Sequence, residues 1–321
     1  MEWRCAGLGW PGGVPVLRWA GGRSSALTYG RVIGFRAVGE RRCVGARGNP
    51  CPLRAVVPAR ATQARCAECA RLDRAFSVAA DGVPDDPRTY RVYLAWFGAG
   101  LVKVGITAEE RGAVRLLEQG AVAFCWLGRG PLMAARRTEE LLRAALGVPD
   151  RVPYARKRAV RGALPGWAER VRELAELYRR AVVLEGWAEA LERVEFEAVD
   201  HSAAFGWGEA VGGATAGVAD GATDGGAAGA ADGVVRELVD GGVVAGRLVS
   251  AAGPDLYLAV ADGRVLVVDT RVLVGWELAG VDAGAAAGGG VTVPVEAVRG
   301  AAGGSGSGSG SGGGGEQDGL F

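Results

Sequence analysis

The residues best suited to chemistry are four cysteines. Cys43, Cys51, Cys66 and Cys69 follow the spacing C-x7-C-x14-C-x2-C. Two residues between Cys66 and Cys69 let both thiolates of one tight turn reach a single tetrahedral ion, and Cys43 with Cys51 can complete the set. Zinc prefers four such soft ligands. An ion closed by four sulfurs keeps no open position, so its expected role is structural. The competing reading is a buried-thiol or redox cluster. A secreted disulfide framework fits less well, because the chain is long and its start lacks a charged region leading into an apolar stretch. Cys5 and Cys125 have no partner at ligand spacing, and His201 is the single histidine, which excludes a His-pair metal site. No Walker-type loop and no dinucleotide fingerprint is present.

The second chemical feature is cationic. Residues 1–87 carry 13 basic and 7 acidic side chains, residues 88–161 carry 14 and 6, and residues 162–321 carry 10 and 23, for a net charge of +1. A basic front joined to an acidic rear suggests a polyanionic partner for the front, or an electrostatic match between the two halves. The densest run is Arg151, Arg156, Lys157, Arg158 and Arg161, with Tyr154 among them. Such a run fits phosphate contacts and base stacking, or else a solvated connector. Lys103 and Lys157 are the only lysines beside 35 arginines, a bias that resembles a GC-rich bacterial genome. No run approaches the ~18 apolar residues of a spanning helix. A cytoplasmic protein without a membrane partner is expected.

These residues need elements to position them. At about 150 residues per domain, 321 residues suggest two domains. Val14–Trp19 and Arg31–Val38 have the Val and aromatic content of strands, and Pro84-Asp85-Asp86-Pro87 marks a boundary. Arg91–Trp96 and Leu101–Ile106 read as a hairpin across Phe97-Gly98-Ala99-Gly100. Thr107 with Glu110 has capping-box spacing, so a helix is expected from 107, then a strand over 121–127 and a helix from Pro131 to Leu146 ended by Gly147. Trp167–Val199 reads as one or two amphipathic helices. Strands return at Val243–Val249, Leu256–Val260, Val265–Val268 and Val272–Leu278. Most of the excess among the 55 glycines lies after position 200, in a Gly/Ala-rich stretch and a Gly-Ser tail.

Tyr93 in Val92-Tyr93-Leu94, followed by Lys103-Val104-Gly105-Ile106-Thr107 and then Arg111, resembles the GIY-YIG nuclease superfamily over about residues 88–150. There a hairpin carries the two name motifs, and a helix with an arginine and a later glutamate follow. The whole chain also resembles an uncharacterised bacterial family whose function is unknown. The superfamily resemblance implies that Tyr93 orients or deprotonates the attacking water, that Gly105 is the motif glycine, and that Arg111, supported by Arg115, holds a phosphate. Lys103 stands where the superfamily has its second tyrosine, and at the ordinary lysine pKa of about 10.4 it cannot take that role; divergent branches also carry lysine there. The implied metal-holding glutamate is Glu139 or its neighbour Glu140. Glu139 lies on the edge of the apolar face formed by Ala135, Leu142 and Leu146, and is favoured as the ligand of a Mg or Mn ion.

The expected fold class is α+β. It comprises a β-rich part with the zinc cysteines (1–87), a central GIY-YIG-like α/β unit (88–165) and a helical segment (166–200), followed by a Gly/Ala-rich linker (201–235), a small β meander or barrel (236–300) and a disordered tail (301–321). The flanking β-rich segments are expected to pack together. The expected function is zinc-supported nucleic-acid binding, DNA or RNA, with metal-dependent phosphodiester cleavage. The alternative is a binding or scaffold module that kept the fold and lost the chemistry.

Overall fold

The computed structural model describes residues 2–75, 86–207, 230–281 and 290–298. The expected tail at 301–321 and most of the expected linker lie outside these. The chain begins with β1 (Glu2–Gly9), β2 (Val16–Trp19), β3 (Ser24–Ala26) and β4 (Val32–Val38), then the cysteine loop and helix α1 (Ala67–Ala75). The central unit follows: β5 (Thr89–Trp96), β6 (Val102–Ala108), α2 (Val114–Gln119), β7 (Ala123–Pro131), α3 (Leu132–Leu146), α4 (Tyr154–Val160), α5 (Trp167–Val182), β8 (Glu192–Arg193) and β9 (Ala198–Asp200). Last come β10 (Gly233–Val235), β11 (Val243–Ala252), β12 (Asp255–Ala259), β13 (Val265–Asp269), α6 (Thr270–Leu273), β14 (Glu277–Gly280) and β15 (Val295–Ala297).

Ten strands join in the order β15-β10-β13-β12-β11-β4-β14-β1-β2-β3. The two β-rich flanks therefore share one sheet, with Phe35 of β4 paired to Val244 on one side and Gly280 on the other. The meander β11-β12-β13 forms, but the barrel alternative does not. Its outer edges are already occupied, β11 by β4 and β13 by the parallel strand β10. The expected strand at Val272–Leu278 is instead α6 followed by β14. Asp269 caps α6 by accepting from the Arg271 backbone N–H, and Gly275 then turns the chain at φ +88°, pressed against the Arg42 carbonyl.

The smaller sheet has the order β6-β5-β7-β8, with β9 also paired to β7. Alternation along β5 serves two cores. Val92, Leu94 and Trp96 pack with Leu132, Ala135 and Leu142 of α3 and Leu174 of α5, while Tyr93, Ala95 and Phe97 pack with Leu116 of α2 and Val160 of α4. The β5–β6 turn closes through Leu101 N–H on the Gly98 carbonyl at 2.8 Å, with Gly100 at φ +66°. Glu173 of α5 braces it, accepting from the Trp96 indole at 2.7 Å and the Gly100 N–H at 2.9 Å. The capping box at Thr107 does not form. Thr107 pairs with Arg91 inside the hairpin ladder, so α2 starts later, at Val114. The expected helical segment is one helix, α5, after which the chain returns as β8 and β9 along β7.

The basic run is helix α4 and the turn that follows it. Three of its five cations point inward, which corrects their expected role as phosphate contacts. Lys157 is buried, donating to the Gln119 carbonyl at 2.9 Å with its ammonium over the Phe97 and Tyr154 rings. Arg158 bridges Asp255 and Asp269 at 2.5 and 2.6 Å. Arg161 donates to Asp255 at 2.6 Å and to the Tyr257 hydroxyl at 3.0 Å, and its side chain is fully buried. Guanidiniums held this way inside the protein cannot reach a phosphate outside. Arg151 and Arg156 alone of the run are exposed. Residues 201–207, the start of the expected linker, are also packed: Phe205 is fully buried against Trp10, and His201 is bonded to the Ala121 carbonyl at 2.9 Å.

Removing one partner of a buried ion pair leaves the other charge uncompensated. Arg161→Met is expected to lower unfolding stability by about 3–5 kcal/mol, read as a shifted denaturant midpoint. Arg172→Gln on the exposed side of α5 should change it by no more than about 0.5 kcal/mol.

Candidate functional site

The four cysteines converge. Their sulfurs all lie within 4.8 Å of one another, and Cys51 Sγ and Cys66 Sγ are 3.9 Å apart. A tetrahedron with Zn–S bonds of about 2.3 Å has edges of about 3.8 Å, so the arrangement fits the ion. The loop is shaped to deliver them. Arg42 bridges Val56 and Ala46 bridges Asn49, folding the long first spacing back on itself. Gly45 stands at φ +84°, where a Cβ would strike the Asn49 carbonyl. Cys69 falls in the first turns of α1, directly after Cys66.

The surroundings favour thiolates unevenly. Cys43 Sγ accepts from the Cys66 N–H at 3.2 Å and the Gly45 N–H at 3.4 Å. The Ala55 backbone N–H leads in drawing the Cys51 thiol down to about 6, whereas burial pushes Cys69 up to about 12. Four adjacent thiolates need a cation to hold them together, and binding it releases their protons. All four are free thiols placed to hold a metal ion, and the donor set matches zinc. Cys5 and Cys125 are buried and are not among the four grouped thiols. Arg41 fixes the loop to the larger sheet: almost fully buried, it donates to the Pro58, Ala59, Ala61, Arg271 and Val274 carbonyls at 2.5–3.1 Å.

A second group of residues lies on the β5–β6 hairpin. Directly opposed residues of an antiparallel pair point the same way. Tyr93 opposes Gly105 and Ala95 opposes Lys103, so Tyr93, Gly105 and Lys103 share a face. A Cβ at Gly105 would run into the Tyr93 ring and hydroxyl, so the position requires glycine. The Tyr93 hydroxyl accepts from Gln119 Nε2 at 2.8 Å, and the side chain is 1% exposed. Burial pushes its phenol upward in pKa, with the charges of Arg115, Glu139 and Arg111 acting on it. Lys103 Nζ donates to the Asp150 carbonyl at 3.0 Å and sits 5.7 Å from the Tyr93 ring centre. Burial and the charge of Arg115 push Lys103 down to about 8, against the pull of Glu139.

Glu139 on α3 is half-buried, and burial raises its carboxyl pKa while Lys103 pulls it down. Glu140 is exposed and paired with Arg143 at 2.5 Å. Arg111 lies in the turn Glu109–Arg111 that precedes α2, and binds Glu118 at 2.5 Å; Arg115 shares that carboxylate at 3.5 Å. The charges of Arg111, Arg115 and Glu139 thus act on Tyr93, and those of Arg115 and Glu139 on Lys103, whereas Arg158 and Arg161 turn to Asp255. Gln119, Asp255, Asp269 and Arg41 were given no role from the sequence. The acidic rear half was the only pointer to Asp255 and Asp269, and nothing in the pattern separates the buried Arg41 from its half-buried neighbour Arg42.

Residues 30–216 match the model of a family described as a protein of unknown function, DUF2797. The chain belongs to this family. The DUF2797 match takes in β4, the cysteine loop and the whole central unit, whereas β1–β3 and β10–β15, which complete the larger sheet, fall outside it. No curated protein and no solved structure matches. Among the described residues no helix is long and apolar enough to cross a membrane.

The purified protein is expected to carry one zinc ion per chain, measured by elemental analysis; a preparation without bound metal would refute the site. Cys69→Ser should abolish retention and lower the thermal midpoint by about 5–10 °C.

Proposed function

We propose that this DUF2797 protein binds nucleic acid through a GIY-YIG-like central unit on a zinc-braced scaffold, and that Lys103 and Glu139 form the reactive pair of a phosphodiester-cleaving centre. What supports this reading is that Lys103 Nζ lies 5.7 Å from the Tyr93 ring centre while the charges of Arg115, Glu139 and Arg111, from separate elements of the chain, act on the same tyrosine. Lysine at the second tyrosine position is the departure from the superfamily pattern, and its surroundings offset it. With its pKa drawn down to about 8, Lys103 presents a usable fraction of free amine near neutral pH and can accept a proton from water.

Tyr93 has a different part. Its hydroxyl is enclosed and already accepts from Gln119, so it positions α2 and the hairpin face rather than touching the attacking water. Arg111 and Arg115 can exchange Glu118 for a phosphate oxygen, and the flat guanidinium fork suits that partner. Among the described residues the cysteine set is the only group of three or more candidate metal ligands. A single carboxylate fits Mg or Mn only where substrate phosphate oxygens and water complete the shell, so Glu139 would hold such an ion only together with substrate. The ion would supply positive charge at the phosphate.

A second reading, a binding module without chemistry, draws support from the sealed Tyr93 hydroxyl and from the pairing of Arg111 with Glu118. Labelled single- and double-stranded DNA and RNA, incubated with Mg or Mn, separate the two. Cleavage by the wild type that falls at least about 100-fold in Glu139→Gln and in Lys103→Met, with binding retained, is the expected result. Binding without cleavage by the wild type would establish the second reading. Cleavage unchanged in Lys103→Met would remove the lysine from the mechanism, and absence of any affinity at low salt would refute both readings.

A further inference from the structure

A groove of about 370 Å³ opens where the central unit meets the larger sheet. Three guanidiniums from distant parts of the chain line it: Arg18 of β2, Arg111 before α2 and Arg271 of α6. Glu118 is the one carboxylate in the lining. The Gly253-Pro254 turn between β11 and β12 and the β1 bulge at Gly7 also face the groove. Glycine is needed at 253, where φ is +63° and a Cβ would press into the backbone of Gln119 and Gly120. That contact seats the end of α2 directly on the sheet.

The three cations are held in advance. Arg271 is fixed on Asp269 at 2.6 Å and lies 4.3 Å from the centre of the Tyr154 ring. Arg111 is held on Glu118. Arg18 donates to the Leu8 carbonyl at 3.1 Å and has no carboxylate partner among the described residues. Tyr154 is already covered by Arg271 and by the Lys157 ammonium, so it offers no open ring for a base to stack on. What the groove presents is guanidinium N–H, which reads phosphate and not sequence. Arg111 belongs to both places, since it lines the groove and its charge acts on Tyr93.

We propose that this groove binds the phosphodiester backbone of a nucleic-acid strand continuing from the Lys103 side of the hairpin, with Arg18 and Arg271 taking phosphates on the sheet side of Arg111. The inference rests on the proposed function and assigns the strand a path across the seam. It makes the larger sheet part of the binding surface, although the sheet's outer strands lie beyond the family match.

The test uses the full chain and fluorescein-labelled 20-nucleotide single strands of DNA and of RNA, titrated by anisotropy across a salt series. For whichever strand the wild type binds, Arg18→Gln should weaken affinity about three- to tenfold and flatten the slope of log K against log salt by about 0.7, one phosphate contact. Arg172→Gln, which removes the same charge from the exposed side of α5, should leave both unchanged. Arg18→Lys keeps charge and stem and should restore the slope. If Arg18→Gln matches the wild type in affinity and slope while Arg115→Gln, outside the groove lining, weakens binding, the groove is wrong and the proposed function stands. Equal losses in Arg18→Gln and Arg172→Gln, or a slope that stays flat in Arg18→Lys, also overturn the groove. A wild type that binds neither strand overturns both.

Discussion

Arg158 of α4 and Arg161 in the turn just after it enter the larger sheet at one point, where the fully buried Asp255 accepts from both. Placing these charges out of water costs several kcal/mol each, and only their mutual geometry offsets it. Asp269 and the Tyr257 hydroxyl take further N–H groups, so the network permits one mutual orientation of the two sheets. The rest of the seam follows from it. Gly120 can meet Gly253 backbone to backbone, Trp10 can donate to the Gly253 carbonyl at 3.0 Å, and the aromatic chain Trp10, Phe205, Trp207 and Tyr257 can pack edge to face.

The cysteine loop depends on the same frame from the other side. Arg41 gathers carbonyls from the loop and from α6, and α6 begins at Asp269, which is itself pinned by Arg158 and Arg271. A metal at the cysteines would therefore brace a loop already tied to the sheet that holds the central unit. The Tyr93 side is organised by a shorter chain of contacts, in which Gln119 ends α2, donates to Tyr93 through its side chain and accepts from Lys157 through its carbonyl.

Legibility in the sequence tracked how local the controlling physics was. The hairpin, the third strand and the Pro131–Leu146 helix were readable because alternation, Gly100 and Gly147 act within a few residues. The Cys66–Cys69 pair was readable for the same reason. Thr107 misled because ladder pairing with Arg91 outweighed its cap spacing, and Val272–Leu278 misled because Asp269 and Gly275 redirected an apolar run that could have continued as a strand. The basic run misled most. Its spacing is the same whether the cations face solvent or Asp255.

By itself the sequence determined the ligand types and spacing of the cysteine set, the α+β class, the hairpin bearing Tyr93, Lys103 and Gly105, and the charge division between front and rear. Each of these is a property of residue type or short-range order. The tertiary structure alone decided that the two β-rich flanks are one sheet, that Arg158 and Arg161 meet Asp255 and Asp269, and that Arg18, Arg111 and Arg271 line one groove. It also decided that Lys103 is not an ordinary lysine, because its pKa is set by burial and by Arg115 and Glu139, neighbours that only folding brings to it.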